Sequence, residues 1–169
     1  MYTHKPVAEP STFYKSFSEK KLTSYGSSRR GRIEQHRLGL LHRYRPAPGE
    51  MVEVGPGHGT LAEQAVDAGW SYTAIEASPI LIKVLREKGL RVDDGGRRII
   101  KKTNASVDVV YADKVLEHMS GIDAARAFTA EALRALRPGG VLFVVVPDYL
   151  KERTFFWDVD YTHNFVTTE

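Results

Sequence analysis

Two hydrophobic periods alternate along this chain. Short apolar runs of strand type occupy residues 51–54, 71–75, 107–112 and 141–146. Stripes at helical spacing lie around and between them. Ile33, Arg37, Leu40, Leu41 and Tyr44, with Leu38 beside them, predict a helix over about 32–43. Residues 61–66 predict a second helix, and Ile80, Leu81, Val84 and Leu85 a third. A fourth is predicted from Ala127, Phe128, Ala130, Ala132, Leu133 and Leu136. The breaks fit this division. Pro46-Ala47-Pro48-Gly49, Gly69, Gly89 and Arg137-Pro138-Gly139-Gly140 each stand where a helix should stop. Thr60-x-x-Glu63 and Ser120-x-x-Asp123 read as capping boxes, and Ser78 as an N-cap with Pro79 at the first helical position. Residues 90–92 predict a short third strand, and 97–102 read equally as strand or loop. Residues 1–30 are polar and irregular; 24–28 should break any long helix, with a short helix over 13–20. Strands alternating with helices predict a doubly wound α/β fold with a parallel sheet and right-handed crossovers. Residues 141–146, the most apolar run, are expected inside the sheet.

One junction carries more than structure. Met51-Val52-Glu53-Val54 runs into three glycines at alternate positions, Gly55, Gly57 and Gly59, and then into the second helix. A glycine turn between strand and helix lets a ligand approach the backbone beside free helical N–H groups. A dinucleotide fingerprint would space its third glycine one residue later, and Pro56 removes one loop N–H.

Composition narrows the classes. The 169 residues are 42% hydrophobic and 27% charged, an ordinary balance for a globular domain of one core. With no cysteine there are no disulfides, thiolate metal sites or cysteine nucleophiles. No apolar run reaches the length of a membrane span and no signal-peptide pattern opens the chain, so a cytoplasmic protein is expected. The net charge of +3 is uneven. Residues 1–45 hold ten Lys/Arg against three Asp/Glu, whereas 46–169 hold fourteen against eighteen. The expected organisation is a basic N-terminal arm and helix (1–45) ahead of a ligand-binding core (46–169).

Four stretches together resemble the class I, Rossmann-like S-adenosylmethionine-dependent methyltransferases of the small-molecule type, over roughly residues 49–147. They are Glu53-Val54-Gly55-Pro56-Gly57-His58-Gly59, Ala74-Ile75-Glu76, Val107-Asp108-Val109-Val110 leading into Leu116-Glu117-His118-Met119, and Leu136-Arg137-Pro138-Gly139-Gly140 before the last strand. The resemblance implies strand order 3-2-1-4-5 and S-adenosyl-L-methionine as cofactor. The family sheet carries two further strands as a C-terminal hairpin. The chain stops soon after the fifth strand, so the core is expected to be C-terminally short, by truncation or replacement.

The same resemblance implies the site. Gly55, Gly57 and Gly59 would let the cofactor lie on the backbone, and Glu53 would orient the turn or meet the ammonium. Glu76, at the end of the second strand, would accept hydrogen bonds from the ribose hydroxyls; as a strand-end charge it should support little of the core. Asp93 or Asp94 would read the adenine, while Ala112, Asp113 and Lys114 would border the methyl. His118 is the general-base candidate, since imidazole titrates near neutrality, and bracing the loop is its structural alternative. Asp160 and His163 would border the acceptor. No His/Asp pairing at ligand spacing occurs, so no metal is expected. The function expected is methyl transfer to oxygen or nitrogen of a small molecule or glycan precursor. Two alternatives stand beside it: a cofactor-binding domain without turnover, and an RNA or protein methyltransferase using the basic arm. Nucleic acid is not the expected partner, because no asparagine-proline-proline-tyrosine motif follows the fourth strand.

Overall fold

The computed structural model describes residues 24–95, 100–160, 162–164 and 166. The expected helix over 13–20, most of the basic arm and part of the ambiguous 97–102 segment lie outside them. In chain order the elements are α1 (Ser24–His42), β1 (Gly49–Val54), α2 (Thr60–Asp67), β2 (Trp70–Glu76), α3 (Pro79–Glu87) and β3 (Val92–Asp94). β4 (Val107–Asp113) follows, then a 3₁₀ turn (Leu116–His118), α4 (Ile122–Ala135), β5 (Leu136–Val145), α5 (Tyr149–Glu152) and α6 (Phe155–Val159).

The sheet is five-stranded in the order β3-β2-β1-β4-β5, as expected. All four pairings are parallel; Val52 lies opposite Thr73 on one side and Val110 on the other. Strands buried on both faces read as near-continuous apolar runs, and β1, β2 and β4 do. Alternate residues supply two cores. Met51, Tyr72, Ala74, Val109 and Tyr111 pack under Leu38 and Leu41 of α1, Leu61 and Ala65 of α2 and Leu85 of α3. Val52, Val54, Ile75, Val110 and Ala112 pack over Phe128, Ala132 and Ala135 of α4. No helix among the described residues is long and apolar enough to cross a membrane.

The departures from expectation have physical reasons. α1 begins at Ser24, through the segment read as a breaker. Docking overrides weak propensity, and the helix is tied to α2 by Gln64 Nε2 donating to the Gly31 carbonyl at 2.9 Å. Its buried face is Glu34, Leu38 and Leu41, rotated from the predicted stripe; Ile33 and Tyr44 are exposed. Neither predicted capping box forms. Gly59, at φ +73°, holds the N-cap of α2, and Thr60 is already helical. Gly121 holds that of α4. Ser78 caps α3 as expected, accepting from Leu81 N–H. β3 lies two residues later than predicted. β5 is an edge strand, half-exposed rather than internal. It includes Arg137-Pro138-Gly139-Gly140, expected as a turn, which leave the ladder as a bulge: Leu136 pairs Val107, and Val141 pairs Val109.

Candidate active site

Parallel strands in a doubly wound sheet bind ligands beyond their carboxyl ends, where the order reverses. Here that point lies at β1, between β2 and β4. A cavity of about 580 Å³ opens there, lined by the glycine turn, the ends of β1, β2 and β4, the 3₁₀ turn, α1 and the C-terminal segment.

The turn after β1 is built for close approach. Gly55 and Gly57 sit at φ +68° and +57°, which L side chains rarely adopt. A Cβ on Gly55 would stand 2.9 Å from Val115 Cγ2, so there is no room for one. Gly55 N–H donates to the Ile75 carbonyl, pinning the turn to β2. Glu76 ends β2 and is 5% exposed, so it is not the exposed strand-end charge expected. Its Oε1 accepts from Ala77 and Ser78 N–H, both at 2.9 Å. Burial pushes its carboxyl up, against backbone N–H bonds from Ser78, Ala77 and Gly57. A carboxylate has about four lone-pair sites and these are three backbone donors, so acceptor capacity remains for a ligand on the cavity wall.

Acids crowd the opposite wall. Glu53 is buried and accepts from the Tyr72 hydroxyl. Burial raises its carboxyl to about 8, with Glu34, Asp113 and Glu76 pushing the same way. Glu34 reaches in from α1, accepts from the Tyr111 hydroxyl at 3.2 Å and pairs with Arg37 at 2.8 Å. Arg37 also holds Asp113 Oδ2 at 2.6 Å, while buried Asp113 Oδ1 has no hydrogen-bond partner. Arg30 also acts on Glu34, yet the raised Glu53 carboxyl shows that this wall lacks the positive charge to ionise all three acids. S-adenosylmethionine, with an ammonium and a sulfonium, would supply it. The tight glycine turn, the acceptor capacity left on the Glu76 carboxylate and the orphaned Asp113 oxygen therefore fit that cofactor.

The far end is apolar with a polar rim: Met119, Phe128, Pro147 and Phe155 beside Glu117, His118, Asp160 and His163. His118 Nδ1 lies 2.8 Å from Thr162 Oγ1, which in turn donates to Asp160 at 2.7 Å. Burial lowers the His118 pKa, Asp160 opposing and His163 reinforcing, so the ring is neutral near pH 7. Glu117 is fully buried, and neither carboxylate oxygen meets a hydrogen-bond partner from another residue. Among the described residues Glu117, His118 and His163 form a group able to hold a metal ion, one donor atom of each lying within 4.8 Å of the others. Residues far apart in sequence meet here, which ligand spacing could not reveal.

Of the expected site residues, Glu53, Gly55, Gly57, Glu76, Asp113 and His118 line the cavity together with Lys114, Asp160 and His163. Gly59, Ala112, Asp93 and Asp94 do not. Gly59 shapes the turn from behind, donating to the Pro56 carbonyl at 2.9 Å, and Ala112 packs in the core. Asp94 turns away to Lys101, and Gly95 takes the wall position after β3. Sequence reasoning missed Arg30 and Glu34 and gave Glu117 no role. A glutamate at i with leucines at i+4 and i+7 was the available signal for Glu34.

A family model described as a methyltransferase domain matches residues 25–166. The chain is similar to a ubiquinone biosynthesis O-methyltransferase of Methylobacterium nodulans, 32% identical over 108 residues. That match covers 59% of this chain and 42% of the relative, and the chain spans less than half the length of such curated relatives. Among solved structures, a Pyrococcus horikoshii protein superposes with a TM-score of 0.70 at 20% identity, covering 83% of this chain and 68% of its own. Phosphoethanolamine N-methyltransferase 2 of Haemonchus contortus, solved with S-adenosyl-L-methionine, gives 0.59 at 19% identity, covering 79% and 34%.

Proposed function

From a chain that belongs to the S-adenosylmethionine-dependent methyltransferases, we propose an enzyme that methylates an oxygen or nitrogen of a small molecule or glycan precursor. The observation that carries this reading is the cavity itself. It is acidic beside the glycine turn, where a cationic cofactor fits, and apolar with neutral imidazole at the other end. The O-methyltransferase relative named for ubiquinone biosynthesis supports a small acceptor.

The cofactor supplies a methyl group already activated on sulfur. The chain's own residues then have to align, neutralise and exclude water. Gly55 and Gly57 admit the cofactor's amino-acid end to the backbone. Glu76 holds the ribose through the acceptor capacity its backbone bonds leave. Glu53 and Asp113, backed by Glu34, balance the ammonium and sulfonium. Met119, Phe128 and Phe155 hold an apolar acceptor body and keep water from the methyl. His118 marks where the acceptor's proton is given up: its Nδ1 faces Thr162, so Nε2 is left for the acceptor side.

Titration of the chain with S-adenosylmethionine, followed by a product assay on hydroxyl and amine acceptors, tests the reading. Saturable binding and release of S-adenosylhomocysteine with at least one acceptor class are expected. Binding without product from any acceptor would favour a non-catalytic domain, and no binding would remove the reading.

A further inference from the structure

Three groups that only accept meet at the acceptor end of the cavity; among the described residues no donor of another residue bonds the Glu117 carboxylate, and Lys114 acts on Glu117 and His118 through its charge alone. The Thr162 hydroxyl has one proton and gives it to Asp160 Oδ1, which can only accept. Toward His118 the hydroxyl must therefore accept, so Nδ1 carries the His118 proton. His163 Nδ1 lies 2.7 Å from the Phe156 carbonyl, again an acceptor only, so it too is protonated there. Each imidazole is left with a lone pair on Nε2. The third group is the Glu117 carboxylate, 0% exposed and without a partner from another residue. A buried carboxylate without a partner is costly unless a cation lies beside it, and donor atoms of the two imidazoles stand within 4.8 Å of it.

We infer that Glu117, His118 and His163 bind a divalent cation of zinc type, which holds the acceptor's oxygen at an open coordination position. The donor set argues for the class: two imidazoles and one carboxylate suit zinc better than the hard cations, and three protein ligands with one open position is the catalytic arrangement. Outer partners argue for it too. Imidazoles that bind metal direct their other N–H to a carbonyl or a carboxylate-linked group, as His163 does to Phe156 and His118 does through Thr162 to Asp160. Donors around zinc stand about 3.4 Å apart in a tetrahedron with bonds of about 2.1 Å. From within 4.8 Å, side-chain rotations of about 1 Å close the set.

The inference takes its purpose from the methyl-transfer reading, and it changes how His118 serves it. His118 becomes a ligand rather than the base. The acceptor's O–H breaks with its proton passing to water. The oxygen pair then forms the new O–C bond, and the breaking C–S bond leaves its pair on sulfur.

Calorimetric titration of metal-stripped protein with zinc chloride tests the site directly. One zinc per chain is expected, with binding weakened at least 100-fold in Glu117→Gln and His163→Ala. Thr162→Val keeps all three ligands and should weaken it 10- to 100-fold. S-adenosylmethionine affinity should stay within about 3-fold in every variant that circular dichroism shows folded. Chelation should abolish turnover and zinc restore it. No zinc binding by the wild-type chain overturns the inference, and so does equal binding by all folded variants. Chelator-resistant turnover that His118→Ala abolishes overturns it in favour of a simple base. Zinc binding without cofactor binding would leave the metal site standing and remove the methyl-transfer reading instead.

Discussion

Asp108 and Glu53 are both buried acids in central strands of one sheet, and the two ends of that sheet treat them oppositely. At the amino end, Asp108 of β4 accepts from Glu50 N–H at 2.7 Å and pairs with Arg45 and Arg137. Burial raises its pKa, but those three partners outweigh it and hold the carboxyl below its ordinary range. At the carboxyl end, Glu53 has one hydroxyl and three neighbouring acids, and its carboxyl rises to about 8. Where the charge is satisfied the fold is fastened. Where it is left over, the protein holds electrostatic energy that a cationic ligand can release.

The largest effect should come from breaking the unsatisfied end. Glu53's folded pKa is raised, so its contribution to stability is full below about pH 4.5 and is lost as pH rises through about 8. A lift of that size amounts to roughly 3–5 kcal/mol. Urea denaturation of the ligand-free protein between pH 5 and 9 should show the decline, and Glu53→Gln should reduce it, Glu117, Glu76 and Glu34 carrying the rest. Cofactor binding should release a proton near pH 7, detectable by calorimetry in buffers of different ionisation heat. A pH-independent wild type would erase the contrast.

Next comes the satisfied end. Asp108→Asn should cost about 2–3 kcal/mol at pH 7, the exposure of both arginine side chains keeping it below a fully buried pair. Asp108's pKa is lowered, so the loss should shrink as the wild type is itself protonated below about pH 4. Cofactor affinity should not follow.

Glu76 belongs to both categories, fastened by three backbone N–H groups yet with acceptor capacity left for a ligand. Glu76→Gln should weaken S-adenosylmethionine and S-adenosylhomocysteine equally, by roughly ten- to a hundred-fold, since a charge-assisted hydrogen bond contributes about 1.5–3 kcal/mol. It should also lower stability by about 1 kcal/mol through the Ala77 and Ser78 bonds. Unequal losses for the two ligands would move the contact away from the ribose. The baseline is the exposed pair of Lys88 and Glu63: Lys88→Ala should change stability by less than about 0.5 kcal/mol.

What the chain disclosed beforehand follows the same division. The central strands, the glycine turn and the place of Glu76 were legible because each is a local pattern: an apolar run, a turn residue, an acid at a strand end; the strand order came from the family resemblance. Asp93 and Asp94 were misplaced because β3 begins two residues later than its apolar content suggested, which moves Gly95 to the cavity wall. Glu34 escaped because a glutamate reads as solvent-facing until Tyr111, 77 residues away, is seen beside it. The Glu117, His118 and His163 group escaped for the same reason: no spacing rule spans the 44 residues between the two histidines.

Gly55 translates into substitution tolerance. Its φ of +68° and the methyl of Val115, 2.9 Å from where a Cβ would stand, are separate obstacles. Trimming Val115 to alanine removes the second and leaves the first, so no neighbouring change fully rescues a side chain at position 55. In a saturation library sorted for folded protein, position 55 should return glycine far above any other residue, with asparagine or aspartate the first to appear once Val115 is trimmed. Position 115 should accept smaller residues freely, giving two touching positions with unequal licence to drift.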